Sequence, residues 1–217
     1  MIFSIMHYLT KKPILYKFNK KKMVRASYNL YMCTAELNNF LKFMSQNEIE
    51  DSFYGWFKCL CLHTWFVESR LKREGKEGQF LNTFFTSLPV EDAAARSKFI
   101  NDGRHLLSSD EKQLTCTKFA IHKLLDENIN KSDCHLANAI WLCLYNPDST
   151  KTRNLEKIVE FVRRQKLHID QIDTKTLLKS GYIDYLNFEN FQIEKKKTLK
   201  LWNEINYRIY NCRFKVL

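Results

Sequence analysis

One run, Ser52 to Gly78, constrains this chain more than any other: SFYGWFKCLCLHTWFVESRLKREGKEG. Phe53, Trp56, Phe57, Leu60, Thr64, Val67 and Leu71 recur at steps of three and four, which is the stripe of an α-helix. Cys59, Leu62, Trp65 and Phe66 fill the other faces, so the first four turns are apolar nearly all round. A helix of that kind needs neighbours on every side and belongs at the centre of a helical domain. It does not read as a membrane span. Phe53 to Val67 falls short of the roughly 20 residues a bilayer requires, and Lys58 and His63 interrupt it. Phe57, Leu60 and Thr64 are therefore expected in the core.

The rest of the chain supplies the neighbours. With 217 residues, 45% of them apolar, it has the material for one domain with a sizeable core. Five glycines and three prolines are too few for the many tight turns of an all-β fold. The spacing predicts short helices over Ala35–Met44 and Gln79–Ser87, and one entered at Pro89 with Ser87 near its cap and a stop near Asn101-Asp102-Gly103. Another follows the capping box Ser108-Ser109-Asp110-Glu111, and the next follows Ser132-Asp133 and ends at the turn Asn146-Pro147-Asp148. Leu155 to Ile172 carries a further stripe, Asp173-Thr174 opens a short helix that stops at Gly181, and Phe188–Tyr210 is the last candidate. Gly75 is expected to be left-handed, with Glu74 paired to a nearby base. The expected architecture is all-α, an irregular single-domain bundle of about eight helices.

Charge divides the chain into three parts. Residues 1–35 hold seven Lys/Arg and no acid, and residues 195–217 hold seven with one acid; of the net +11, this leaves residues 36–194 at −2. The expected organisation is a basic arm or targeting segment over 1–35, a near-neutral helical domain over 36–187, and a basic helix over 188–217. Basic ends on a neutral body suit a polyanionic surface, RNA or an anionic membrane, although lysine runs are also ordinary solvated faces. Met1–Leu9 is apolar but no basic region precedes it, so a secretory signal of the usual form is not expected; the acid-free 1–35 is transit-peptide-like in charge.

Chemistry is sparse. Seven cysteines lack framework spacing, and Cys59 and Cys61 point to different helix faces, which reads as reduced, buried thiols. There is no phosphate loop, no G-x-S-x-G and no HExxH, and the six histidines are far apart, with His63 expected as a hydrogen-bonded core residue. No catalytic residue, metal site or cofactor is expected. The candidate partner-binding residues are Lys20, Lys21, Lys22 and Arg25, which could bind phosphate, together with Trp65 and Lys72. Trp65 shares a helix face with Lys58, Glu68 and Lys72, so it is either a ring of the core or an edge anchor for a partner.

Three blocks, in this order, resemble the ubiquinol–cytochrome c chaperone family. The first is Ser52-Phe53-Tyr54-Gly55-Trp56-Phe57, continued by Leu62-His63-Thr64-Trp65 and Arg70-Leu71-Lys72-Arg73-Glu74-Gly75. The second is Leu136-Ala137-Asn138-Ala139-Ile140-Trp141, and the third is Leu155-Glu156-Lys157-Ile158-Val159-Glu160-Phe161-Val162-Arg163-Arg164-Gln165. The resemblance covers roughly residues 31–185; residues 188–217 match nothing in the family pattern. It implies a non-enzymatic mitochondrial protein on the matrix side of the inner membrane. Such a protein assembles respiratory complex III, binds newly made cytochrome b with a small partner protein, and in some lineages sits near the mitochondrial ribosome. An apolar groove could then shield a client segment. The competing reading is a mitochondrial RNA- or ribosome-binding protein with no client. A chaperone predicts an exposed apolar patch of several hundred Å², and RNA binding predicts a continuous basic stripe.

Overall fold

Ser52 stops the extended chain and starts the central helix: its Oγ accepts the amide of Gly55 at 3.1 Å. In the computed structural model, which describes residues 15–100, 108–145, 154–193, 198–204 and 207, that element is one of eight α-helices and the other seven pack around it. The eight are α1 (Lys20–Leu37), α2 (Phe40–Gln46), α3 (Phe53–Leu71), α4 (Gly75–Phe85), α5 (Leu88–Ile100), α6 (Ser108–Asn128), α7 (Asp133–Leu144) and α8 (Leu155–Asp170), followed by a π-helical turn, Thr176–Ser180. Residues 198–204 are also helical, and no strand occurs among the described residues. The all-α expectation holds.

α3 touches every other helix of the bundle, which is why its apolar surface runs round the whole circumference. Phe57, Leu60 and Thr64 are fully buried, as are Trp65, Phe66 and Val67. Each large side chain so enclosed contributes about 1.5–3 kcal/mol through lost apolar exposure. α8 shows the opposite economy of surface. It buries one stripe, Ile158, Val159, Phe161, Val162, Gln165 and Ile169, and leaves Glu160, Arg164 and Leu167 in solvent.

A buried ionic cluster sets how α6 sits on α3. Glu68 accepts from Lys118 Nζ at 2.5 Å on one oxygen and meets His122 Nδ1 at 3.2 Å on the other. Lys118 also donates to Thr86 Oγ1 at 2.9 Å, and His122 Nε2 lies 3.0 Å from the Cys61 carbonyl. Burial alone would push the Glu68 carboxyl up. The hydrogen bond and charge of His122 and the Lys118 ammonium outweigh burial and hold it down at about 2.

The two glycine stops are where the sequence places them. Gly75 has φ 62° and separates α3 from α4, while Arg70 pairs with Glu74 inside the same turn and donates to the Ile172 carbonyl at 3.1 Å. Gly181 has φ 70° and ends the π-helical turn directly against the backbone of Ala26, where a Cβ would collide. Asn29 Nδ2 donates to the Ser180 carbonyl at 2.7 Å and fastens the same crossing.

Three boundaries differ from expectation. The segment expected as a basic arm over 1–35 is, from Lys20 onward, a helix of the folded body: Met23, Ala26, Leu30, Tyr31 and Cys33 are buried. The Ala35–Met44 helix is instead the end of α1 and all but the last two residues of α2, broken at Asn38 and Asn39, whose side chains bond local backbone. The chain does not start a helix at Phe188. Residues 182–193 cross the bundle without helix, and Phe188 packs on Phe43 and Phe161 with ring centroids 5.1 and 5.5 Å away. The boundary expected at 187/188 therefore runs through the core. The stop at 101–103, the Ser108 and Ser109 side chains of the capping box, the turn at 146–148, the lysines at 195–197 and the chain beyond 207 lie outside the described residues.

Candidate functional site

A groove of about 810 Å³ opens at one end of the bundle. It forms where the end of α1, most of α2 and the first turn of α3 meet residues 185–188, with Arg96 of α5, Phe161 of α8, Thr198 and Leu201 completing the lining. Its floor is aromatic: Phe40, Phe43, His63, Phe161 and Tyr185, all buried. His63 stands edge-on to Phe40 and Phe43, with centroids 5.1 and 5.5 Å away, and its Nδ1 lies 2.8 Å from the Cys59 carbonyl. Burial lowers its pKa to about 4, the carbonyl opposing only weakly, so near neutrality the imidazole behaves as one more ring of the floor. That matches the core role read from the sequence.

The walls are mixed. Phe53 and Trp56 stack at 5.6 Å, and the Arg96 guanidinium lies 5.2 Å from the Trp56 ring centroid while its Nε donates to Asp92 at 2.8 Å. Across the opening, Glu189 accepts from Lys42 at 2.9 Å and from Gln46 Nε2 at 2.6 Å, which ties α2 to the 182–193 crossing. Leu41 on the same rim is 69% exposed. An apolar floor under a rim of paired charges can take an apolar segment and exclude water from it. It offers no nucleophile with a base beside it, and among the described residues no cluster of three or more potential metal ligands exists.

The candidate partner-binding residues lie away from this groove. Trp65 is fully buried, so its ring is core and presents no surface. Its Nε1 donates to Asp126 Oδ1 at 2.7 Å, and Lys72 donates to Asp126 Oδ2, also at 2.7 Å. Trp65 and Lys72 are thus joined through one carboxylate of α6. Lys20, Lys21, Lys22 and Arg25 are exposed along the first two turns of α1, one helix length, about 27 Å, from the groove end. Asn19 caps that helix by accepting from Lys21 N at 2.9 Å and Lys22 N at 3.3 Å. No acid occupies the first turn. Lysines there oppose the positive end of the helix dipole, so they weaken the helix they begin. The groove itself escaped the sequence reading, because segments far apart along the chain build it.

Against known proteins, a family model described as Ubiquinol-cytochrome C chaperone matches residues 45–183. Ubiquinol-cytochrome-c reductase complex assembly factor 1 of Xenopus laevis is 30% identical over 167 residues, 77% of this chain and 84% of that protein. The assembly factor 1 of Mus musculus is 28% identical over 167 residues. The chain spans 57% of the mouse relative's length. Among solved structures, the Cbp3 homolog from Brucella abortus superposes with a TM-score of 0.64 at 17% identity, covering 88% of this chain and all of that one, a likeness of fold.

Proposed function

Because the chain belongs to the ubiquinol-cytochrome c chaperone family, we propose that it is an assembly factor for respiratory complex III, holding newly made cytochrome b by an apolar segment in the groove between α2 and α3. The observation that carries this reading is the extent of the family match. It runs from the end of α2 to just past the π-helical turn and so takes in α3 and the helices after it. The aromatic floor supports it, since a client rich in apolar helices is shielded by helix-in-groove contact. The action is binding, without catalysis and without a cofactor, and it is shared with a small partner protein. The place of action is the mitochondrion, at the matrix side of the inner membrane. No helix among the described residues is long and apolar enough to cross a membrane. Lys20, Lys21, Lys22 and Arg25 supply contact there, at anionic lipid or at ribosomal RNA beside the site of synthesis.

A second reading, binding to mitochondrial RNA or the ribosome without a client, draws on the same basic turns of α1. Gene deletion with complementation separates the two. Loss of a cytochrome b chaperone removes cytochrome b and ubiquinol–cytochrome c reductase activity while other mitochondrial translation products persist. Loss of a general RNA-binding protein lowers all of them together. Complementation with Leu41→Glu, a change at an exposed groove position, should restore soluble protein but not cytochrome b; full rescue by it would remove the groove from the account.

A further inference from the structure

The floor of the groove is not uniformly apolar. His63 differs from the rings beside it in carrying two nitrogens, and the two are placed differently. Nδ1 lies 2.8 Å from the Cys59 carbonyl, which can only accept, so Nδ1 carries the proton. Burial keeps the ring neutral, with its pKa lowered to about 4, so near neutrality Nε2 is a bare lone pair. His63 belongs to the groove lining although it is only 2% exposed. Its Nδ1 edge is turned to its own helix, which leaves the opposite edge, with Nε2, on the groove side.

Among the described residues no donor answers that lone pair. Five rings surround it, Phe40, Phe43, Phe66, Phe161 and Tyr185, with centroids between 5.1 and 6.0 Å from that of His63. Four of them have no polar hydrogen to give. Tyr185 has one, and it is already used. Thr34 donates to the Leu30 carbonyl at 2.8 Å, so in the Thr34–Tyr185 contact, also 2.8 Å, the phenol is the donor. A buried acceptor left this way is unfavourable until something completes it.

We propose that His63 Nε2 is the specificity-determining acceptor of the groove, and that the segment seated there brings a tyrosine whose hydroxyl donates to it. The inference rests on the groove being the client site and names the side chain that the site selects. The acceptor lies on the floor, below the rim, so the donor must stand at the tip of a long apolar side chain. An incoming phenol ring meets Phe40 and Phe43, which already stand edge-on to His63, in the geometry aromatic rings prefer. A serine or threonine hydroxyl stays beside its own backbone and, in a helix, bonds the preceding turn. A lysine would bury its charge without a partner, because the acids of the lining, Glu36 and Asp51, are exposed. Phenylalanine would fill the same space and leave Nε2 unanswered, so the floor selects for the hydroxyl as well as for apolar surface.

The experiment uses the full chain and three small probes: p-cresol for a tyrosine side chain, toluene for phenylalanine, and p-methylanisole for a tyrosine that has lost its proton. Amide shifts across Phe40–Gln46 and residues 185–188 report binding in the groove, and long-range proton–nitrogen spectra report the His63 imidazole. In wild type, p-cresol should move the Nε2 resonance toward its hydrogen-bonded position, and toluene and p-methylanisole should not. In His63→Phe the ratio of the toluene Kd to the p-cresol Kd should fall about tenfold, the worth of one hydrogen bond. Should that variant lose its thermal transition, the wild-type spectra decide alone. An Nε2 resonance unmoved by p-cresol would overturn the proposal, including one that already stands at the hydrogen-bonded position because water answers it. So would an equal ratio in both forms, or no groove shift with any probe. Neither readout involves cytochrome b. Full rescue by Leu41→Glu would remove the groove as the client seat and leave these readouts unchanged, whereas an unmoved Nε2 would remove the tyrosine and leave the assembly role standing.

Discussion

Lys118 of α6 donates to Glu68 of α3 at 2.5 Å, and the two side chains are only 9% and 6% exposed. An ion pair this deep contributes less to net stability than to fixing which groups must face each other, because desolvation offsets most of the attraction. Removing one member is another matter. Lys118→Met strands the Glu68 carboxylate and should destabilise by about 3–5 kcal/mol. Glu68→Leu/Lys118→Met should cost much less than the two single changes together. Urea unfolding of the four forms gives the coupling; simple additivity would mean that the pair does not act as a unit.

Acid should act in two separate windows. His63 is held neutral by burial, with its pKa lowered to about 4. Between the ordinary histidine range and pH 4 the unfolded chain therefore binds a proton that the folded chain refuses, and stability falls as pH falls by up to about 3 kcal/mol. Glu68 is held low, at about 2, so its contribution is complete above the ordinary carboxylate range and drains away below pH 4.5 toward 2. Unfolding free energies at pH 7, 5 and 4 should show the first slope in wild type and its flattening in His63→Phe. An unchanged slope in that variant would remove His63 as its source.

The two left-handed glycines predict costs of different origin. At Gly75 nothing lies within 4 Å of an added Cβ, so Gly75→Val should cost about 1 kcal/mol or somewhat more, from backbone strain alone, and Gly75→Asn less. At Gly181 the strain is joined by a clash with the Ala26 backbone, so even Gly181→Ala should exceed Gly75→Val. Thermal melts rank the three, and the reverse order of Gly75→Val and Gly181→Ala would show that α1 yields to the added methyl.

Reversing Lys20, Lys21, Lys22 and Arg25 to Glu should separate attachment from folding. Co-sedimentation with mitochondrial membranes or ribosomes should fall, and that of wild type should fall as salt rises. Thermal stability should hold or rise slightly, because carboxylates near a helix N-terminus favour the dipole by about 0.3–1 kcal/mol each at most. Equal, salt-insensitive sedimentation of both forms would assign attachment to the apolar body.

What the sequence made legible follows from which forces are local. α3 could be read because its burial is written into its own residues, and Ser52, Gly75 and Gly181 because caps and left-handed stops act within a few positions. α1 was partly hidden. Its lysine-rich start looks like an arm, and its buried face, including Ser27, Asn29 and Thr34, is too polar to stand out until the π-helical turn covers it. The groove, the Trp65–Asp126–Lys72 link and the place of Phe188 depend on residues 50 to 150 positions apart, and no window along the chain contains both sides of those contacts.

Because α3 touches every other helix, it cannot be covered until the last of them is made. About 100 residues separate its end from the end of α8, and at about 5–20 residues per second that is roughly 5–20 seconds of synthesis. Through that interval Trp65, Phe66 and Leu71 have emerged without the partners that enclose them. A protein whose relatives assist the assembly of others thus spends its own first moments as a client.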